Sequence, residues 1–177
     1  MRAWPLVCGL DLSLVATGTA HQSPVATDTY TVCGEGMGVI RLRLLAGKIS
    51  VRCAGVDLVV IEGPSYGSMG PGFHERAGLH WLVVDRLWIA RIPYVIVPPT
   101  VVKKYATGKG NANKGAMIDA ATRRYPHVQT GGDDNQVDAL WLAAMGLDYL
   151  TGLHVVPETH RAALGSVDWL GAVKAAS

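Results

Sequence analysis

Four carboxylates interrupt stretches that otherwise read as buried: Asp11 in LVCGLDLS (6–13), Glu62 in VVIEGPSYG (59–67), and Asp134 and Asp138 in GGDDNQVDALWLAAM (131–145). An acid within an apolar run is costly to bury unless it is paired or bound to a metal. Asp134 and Asp138 are four apart, and Asn135 and Asp138 three apart, so either pair projects from one face of a helix. Three or four oxygen donors drawn from separate elements suit a hard cation such as Mg²⁺. Two such ions ~3.5–4 Å apart activate a water and stabilise the leaving oxygen in phosphodiester cleavage. Each acid also has a plainer reading. Asp133 or Asp134 serves as a helix N-cap, and Asp11 and Glu62 serve as turn residues or ion-pair partners.

A second chemical signal is basic. PPTVVKKYATGKGNANKGAM (98–117) places Lys103, Lys104, Lys109 and Lys114 among glycines and amides, Asn113 included. Glycines let a backbone approach a phosphate closely and lysines bring positive charge to it, which makes this a candidate DNA-contacting stretch; a solvated lysine-rich loop is the alternative. His74 and His80 lie in a helical pattern and read as structural, since a two-metal site generates its own nucleophile. Cys8, Cys33 and Cys53 are an odd number without a C-x-x-C pair, which argues against a zinc site or a disulfide framework; all three read as small apolar fillers.

The elements that must position these groups alternate. The segments 6–13, VATGTA and TYTVCGE read as three strands of a meander, followed by a helix over 39–53. DLVVIEG is a strand whose unbroken β-branched run places it centrally, covered on both faces. A long amphipathic helix follows over 72–92, then a short strand over 93–99. Thr100 is the expected N-cap of VVKKYA, and TGKGNANK breaks that helix. Further helices run from Lys114 to Tyr125 and through NQVDALWLAAMGLDYLTG. The order predicts an α/β domain: a mixed sheet flanked by helices, with chemistry at the strand ends. We place that domain over 1–152, with 153–177 as a C-terminal tail that packs as a short helix.

The 177 residues, 49% of them apolar, most economically make one domain. A formal charge of +2 does not announce a nucleic-acid binder, so basic surface must come from local clustering. No apolar run is long enough to span a membrane, Asp11 ends the first apolar stretch before a signal-peptide core forms, and a cytoplasmic setting is expected.

GLDLSLVATG, VVIEGPSYG, PPTVVKKYATGKGNANK and DDNQVDALWLA together resemble, in order, the motifs of the RuvC family of Holliday junction resolvases, especially its bacteriophage-borne members. The resemblance spans roughly 6–148. Its third motif, of the form V-K-x₄-G-x-G-x-A-x-K, is the most specific. It implies a ribonuclease H-like fold with a five-stranded mixed sheet whose first three strands are antiparallel. It also implies a homodimer that uses two Mg²⁺ or Mn²⁺ per site to cut four-way DNA junctions, with no nucleotide cofactor. Carried over, Asp11, Glu62 and Asp138 are metal ligands and Lys103 and Lys114 face the scissile phosphate; Lys104, Lys109 and Asn113 are expected DNA contacts from the charge and amides of their own stretch. The family commonly has an acid or His where this chain has Asn135, so either Asp134 or Asn135 completes the metal set.

The same resemblance makes GPSYGSMGPGFHERAG the loop that enters the junction centre. There Tyr66 and Phe73 stack on bases; anchoring the helix start in the core is the alternative for Phe73. Leu79, Leu82, Val83 and Trp88 become dimer contacts, with monomer core as the alternative. Three rivals remain: a nuclease for flaps or forks, a junction-binding module without catalysis, and an actin-like or sugar-kinase ATPase, whose first phosphate loop GLDLSLVATG also resembles.

Overall fold

The computed structural model of the protein describes residues 3–64, 70 and 72–169. Its centre is one mixed sheet of β1 (Val7–Asp11), β2 (Ala16–Gln22), β3 (Thr27–Cys33), β4 (Leu58–Glu62) and β5 (Tyr94–Val97). The strand order is β3-β2-β1-β4-β5: β1, β2 and β3 form an antiparallel meander, while β4 and β5 run parallel to β1. The return from β3 to β4 passes through α1 (Gly38–Arg52), and that from β4 to β5 through α2 (Phe73–Ile89). The chain then forms α3 (Pro99–Thr107), α4 (Lys114–Arg124), α5 (Asp134–Thr151), α6 (Glu158–Arg161) and a 3₁₀ turn over Ala162–Ser166.

Alternation along β1 and β4 sorts the core into two halves. Cys8, Leu10, Val59 and Ile61 face α1 and α2, where they meet Leu45, Ile49, Leu79, Val83 and Leu87. Val7, Leu58 and Val60 face the opposite layer, built on α5 with α3 and α4 beside it. A strand buried on both faces has no polar side to show, which is why β4 reads as an unbroken apolar run. Helix α5 is buried for the same reason, with every residue from Ala139 to Asp148 buried.

Two expectations about helix ends need correcting. Thr100 does not cap α3: the N-cap is Pro98, and Pro99 takes the first helical position, where a missing N–H costs nothing. Helix α2 stops at Ile89 rather than 92, because Arg91 adopts a left-handed backbone with φ 55°. Of the cysteines, Cys8 and Cys53 are buried fillers, but Cys33 is exposed at the end of edge strand β3. Leu79 and Val83 belong to the α1–α2 core, each 1% exposed, so they are closed to a partner; Trp88 is 57% exposed. Residues after α5 return to the domain: α6 and the 3₁₀ turn pack on α3, and the Trp169 ring stacks on Tyr149 with centroids 4.5 Å apart.

Candidate functional site

Strand parity decides where the first two acids point. Side chains two apart share a face, so Asp11 follows Gly9, and Glu62 follows Val60, toward the α5 side. The parallel register pairs Leu10 with Ile61, and one step further brings Asp11 beside Glu62, close enough that each carboxyl raises or lowers the other's pKa. The two acids separated by fifty positions thus meet at the same edge of adjacent strands.

Helix α5 supplies the other two. A Cβ at Gly9 would lie 2.0 Å from the Ala139 carbonyl oxygen, and one at Gly18 would lie 1.8 Å from that of Asn135. Only glycine permits this approach, so β1 and β2 carry a bare track on which α5 lies. Residues 135, 139 and 143 face the sheet, and Asp134 and Asp138 project from the flank of that row toward the acids of β1 and β4.

The electrostatics confirm that the carboxylates face one another. Burial first, then the Asp138 charge, push the Asp11 carboxyl up to about 7. Burial, then Asp11 and Asp138, push Glu62 up to about 8. Burial and Asp134 push Asp138 up to about 6, opposed by Lys114 and Lys103. Lys103, half-buried on α3, also draws Glu62 downward, and Lys114 at the start of α4 ion-pairs with Asp134. The structure therefore gathers Asp11, Glu62, Asp134, Asp138, Lys103 and Lys114 from five elements.

Helix α4 is held in place by its own cap and by the core. The Asn113 side chain accepts from the Ala116 N–H at 2.9 Å, and the Trp141 indole donates to the Met117 carbonyl at 3.3 Å. Lys104, Lys109 and Asn113 are exposed nearby, with Lys109 and Asn113 lining a cavity of about 430 Å³ together with Arg123 and His160. None of the four acids lines that cavity. Phe73 opens α2 at 39% exposure, its ring edge-on to His74, rather than buried in the core. Tyr66 lies outside the described residues. His80 is buried, which lowers its pKa, and faces the core side of α2 away from the acids.

The donors are all oxygen and converge without enough positive charge to balance them, which is the character of a site for a hard divalent ion. As the side chains stand, no three His, Cys, Asp or Glu groups among the described residues are gathered closely enough to hold an ion. Asp134 is engaged by Lys114 in an ion pair. The Asn135 amide nitrogen donates to Asp133 Oδ1 at 3.1 Å.

Of the two N-cap candidates the structure selects Asp133, which caps α5 by accepting from the Asn135 N–H at 3.0 Å; the partners of its other oxygen went unread in the sequence. Its other carboxylate oxygen accepts from the Thr31 hydroxyl and from Gln136 Nε2. Gln136 Nε2 also donates to Thr31 Oγ1 at 3.0 Å, and its Oε1 accepts from the Thr29 hydroxyl at 2.7 Å. The available signal was the alternation of threonines in TDTYT beside a helix opening on DDNQ.

No family model matches the chain, and no curated protein matches it. The fold, however, has clear structural neighbours and is the ribonuclease H-like fold of the RuvC-type resolvases. Thermus thermophilus RuvC in complex with a Holliday junction substrate is 15% identical with a TM-score of 0.65, covering 84% of this chain and 96% of that one. A second Thermus thermophilus RuvC structure is 16% identical with a TM-score of 0.58, over 83% of this chain and 96% of that one. The Fowlpox virus resolvase in complex with junction DNA is 10% identical with a TM-score of 0.54, covering 82% and 99%.

Proposed function

We propose that the protein is a structure-specific endodeoxyribonuclease that resolves four-way DNA junctions by divalent-metal-dependent phosphodiester hydrolysis. The observation that carries the reading is the convergence of Asp11, Glu62, Asp134 and Asp138 at one end of β1 and β4, flanked by Lys103 and Lys114. It is supported by the likeness in fold to two resolvases whose structures hold junction DNA.

In this reading Asp11, Glu62, Asp138 and Asp134 hold two Mg²⁺, or Mn²⁺ in its place; Asn135 is the alternative to Asp134. When bound, the ions supply Lewis-acid activation of a water and neutralise charge at the leaving oxygen. Because their pKa values are raised, Asp11 and Glu62 would release protons to solvent on binding ions and hold them as carboxylates. Lys114 exchanges its bond to Asp134 for the scissile phosphate, and Lys103 offsets charge building on the non-bridging oxygens. Lys104, Lys109 and Asn113, exposed along α3, the following loop and the α4 start, track the DNA backbone, while Phe73 and Tyr66 meet bases at the junction centre.

Two cuts related by symmetry require two copies. Trp81, Trp88 and Ile89 of α2 and Ile40, Leu44 and Val51 of α1 are large apolar side chains left exposed, which supports a homodimer through this layer. Residues 1–152 make up the nuclease domain in this reading, with 153–177 as its tail. Among the described residues no helix is long and apolar enough to cross a membrane, and the cytoplasm is the proposed setting.

The test is Mg²⁺-dependent cleavage of synthetic four-way junctions, flaps, forks and linear duplex by wild type, Glu62→Gln and Asp138→Asn. Paired symmetric nicks confined to the four-way junction, lost in both variants while binding persists, are expected. Equal cutting of flaps and forks would replace the reading with a broader branched-DNA nuclease, and binding without cutting would refute catalysis.

A further inference from the structure

The residues around Asp133 lie on the same crossbar of the sheet as the acids. Register pairs Thr31 with Gly18 and Gly18 with Asp11, so Thr31, Gly18 and Asp11 form one row across β3, β2 and β1. The first turn of α5 sits on Gly18 at the middle of that row. At 3.6 residues per turn, Asp133 and Gln136 fall on one side of the sheet-facing residues, and Asp134 and Asp138 on the other. On the first side every polar atom is engaged: Thr29 and Thr31 donate to Gln136 and Asp133, and Gln136 donates back to Thr31 and Asp133. The Asp133 carboxylate accepts from Thr31, Gln136 and the Asn135 N–H, so both of its oxygens are engaged.

We infer that Thr29, Thr31, Asp133 and Gln136 are positioning residues: their closed hydrogen-bond network fixes the rotation of the first turn of α5 on Gly18 and so the placement of Asp134 and Asp138 against Asp11. A rotation of that turn moves both helix acids together, because they share one face, whereas Asp11 and Glu62 are anchored by strand pairing. Edge strand β3, the element furthest from β4 in this half of the sheet, thereby acts on the chemistry. As regards function the inference rests on the metal-dependent reading above, but the geometry of the turn is testable without it.

Thr31→Val keeps the β-branched shape and removes the hydroxyl, and Gln136→Met keeps the length and helix propensity; Thr31→Ser restores the hydroxyl. The first readout is Mn²⁺ affinity by calorimetry, with no DNA present. Loss of a group that orients metal ligands weakens binding by about 10- to 100-fold, and both variants are expected in that range with Thr31→Ser recovering most of it. In cleavage, kcat falls while KM for DNA is unchanged. Wild-type Mn²⁺ affinity in both variants would overturn the inference. If the wild type itself binds no Mn²⁺, the metal reading fails and amide exchange decides the clamp. Faster exchange at Val137 and Asp138 in both variants supports it, and unchanged exchange refutes it.

Discussion

Helix α5 carries a half-buried acid near its start and a fully buried one near its end, and the two are treated in opposite ways. Asp148 is fully buried, yet each oxygen is met: Tyr105 donates its hydroxyl at 3.0 Å, and Arg161 Nε and the His154 N–H donate at 3.0 Å each. Burial and then the Asp148 charge raise the Tyr105 pKa, keeping that hydroxyl a donor. Asp138, ten residues earlier, faces Asp11, Glu62 and Asp134 instead. A carboxylate that the protein satisfies itself is a fastener, here tying the α6 segment to α3 and α5. One left among like charges has no such partner within the protein, and under the proposed function it is where a cation would be held.

The sharpest way to break this comparison is to neutralise each acid. Asp138→Asn is expected to lower junction cleavage by at least about 10³-fold, equal to ~4 kcal/mol of transition-state stabilisation, while the metal-free protein melts no lower than wild type. A variant that melts lower and still cuts would place Asp138 with Asp148 among the structural acids.

Removing the partner of the satisfied acid has the reverse profile. Arg161→Met strands a buried carboxylate and is expected to cost on the order of 3 kcal/mol of folding stability, read by denaturant unfolding, with kcat per folded molecule unchanged. Loss of catalysis without loss of stability would show that the Asp148 network serves the site.

The pH dependence of stability without metal separates the two ends again. The folded-state values of Asp138, Asp11 and Glu62 stand at about 6, 7 and 8, above the ordinary carboxylate range. Folding thus favours their neutral forms. That contribution is complete below the unfolded-state values near 4 and is lost progressively as pH rises from there until it passes the folded-state values at about 8. In EDTA the melting temperature should fall over that window, and Glu62→Gln should flatten the fall. A flat wild-type profile contradicts the facing carboxylates. The smallest effect is at the α4 cap: Asn113→Ala should cost about 1 kcal/mol, or roughly 2–4 °C in Tm, through the lost bond to the Ala116 N–H.

Much of this architecture was legible from pattern. The β-branched run before Glu62 announced a strand covered on both faces, and β4 is that strand, with Val60 on one core and Ile61 on the other. The helical spacing of α1, α2 and α5 located each within a few residues. Where the reading missed, a local signal competed with another. Thr100 has good capping chemistry, but two prolines ahead of it preset the backbone for helix entry two residues sooner. Cys33 ends edge strand β3 with its side chain exposed, which the apolar pattern around it did not signal. Leu79 and Trp88 share one amphipathic pattern, and nothing in that pattern says which face meets the sheet and which is left exposed.

The acids divide along the same line. By itself the sequence determined which residues could be ligands, because an acid closing an apolar strand is rare unless something neutralises it, and because Asp134 and Asp138 share a helical face whatever the helix packs on. It also determined the strands and helices that carry them, since period 2 and period 3.6 are properties of the local chain. Only the tertiary structure decided that Asp11 and Glu62 are neighbours, because strand order is set by crossovers through α1 and not by any local pattern. It alone decided that Asp138 meets them, since that depends on two glycines in β1 and β2 admitting a helix from the far end of the chain. And it alone joined Thr31 to Asp133 across 102 positions, a contact whose two halves each look, in sequence, like ordinary strand and cap.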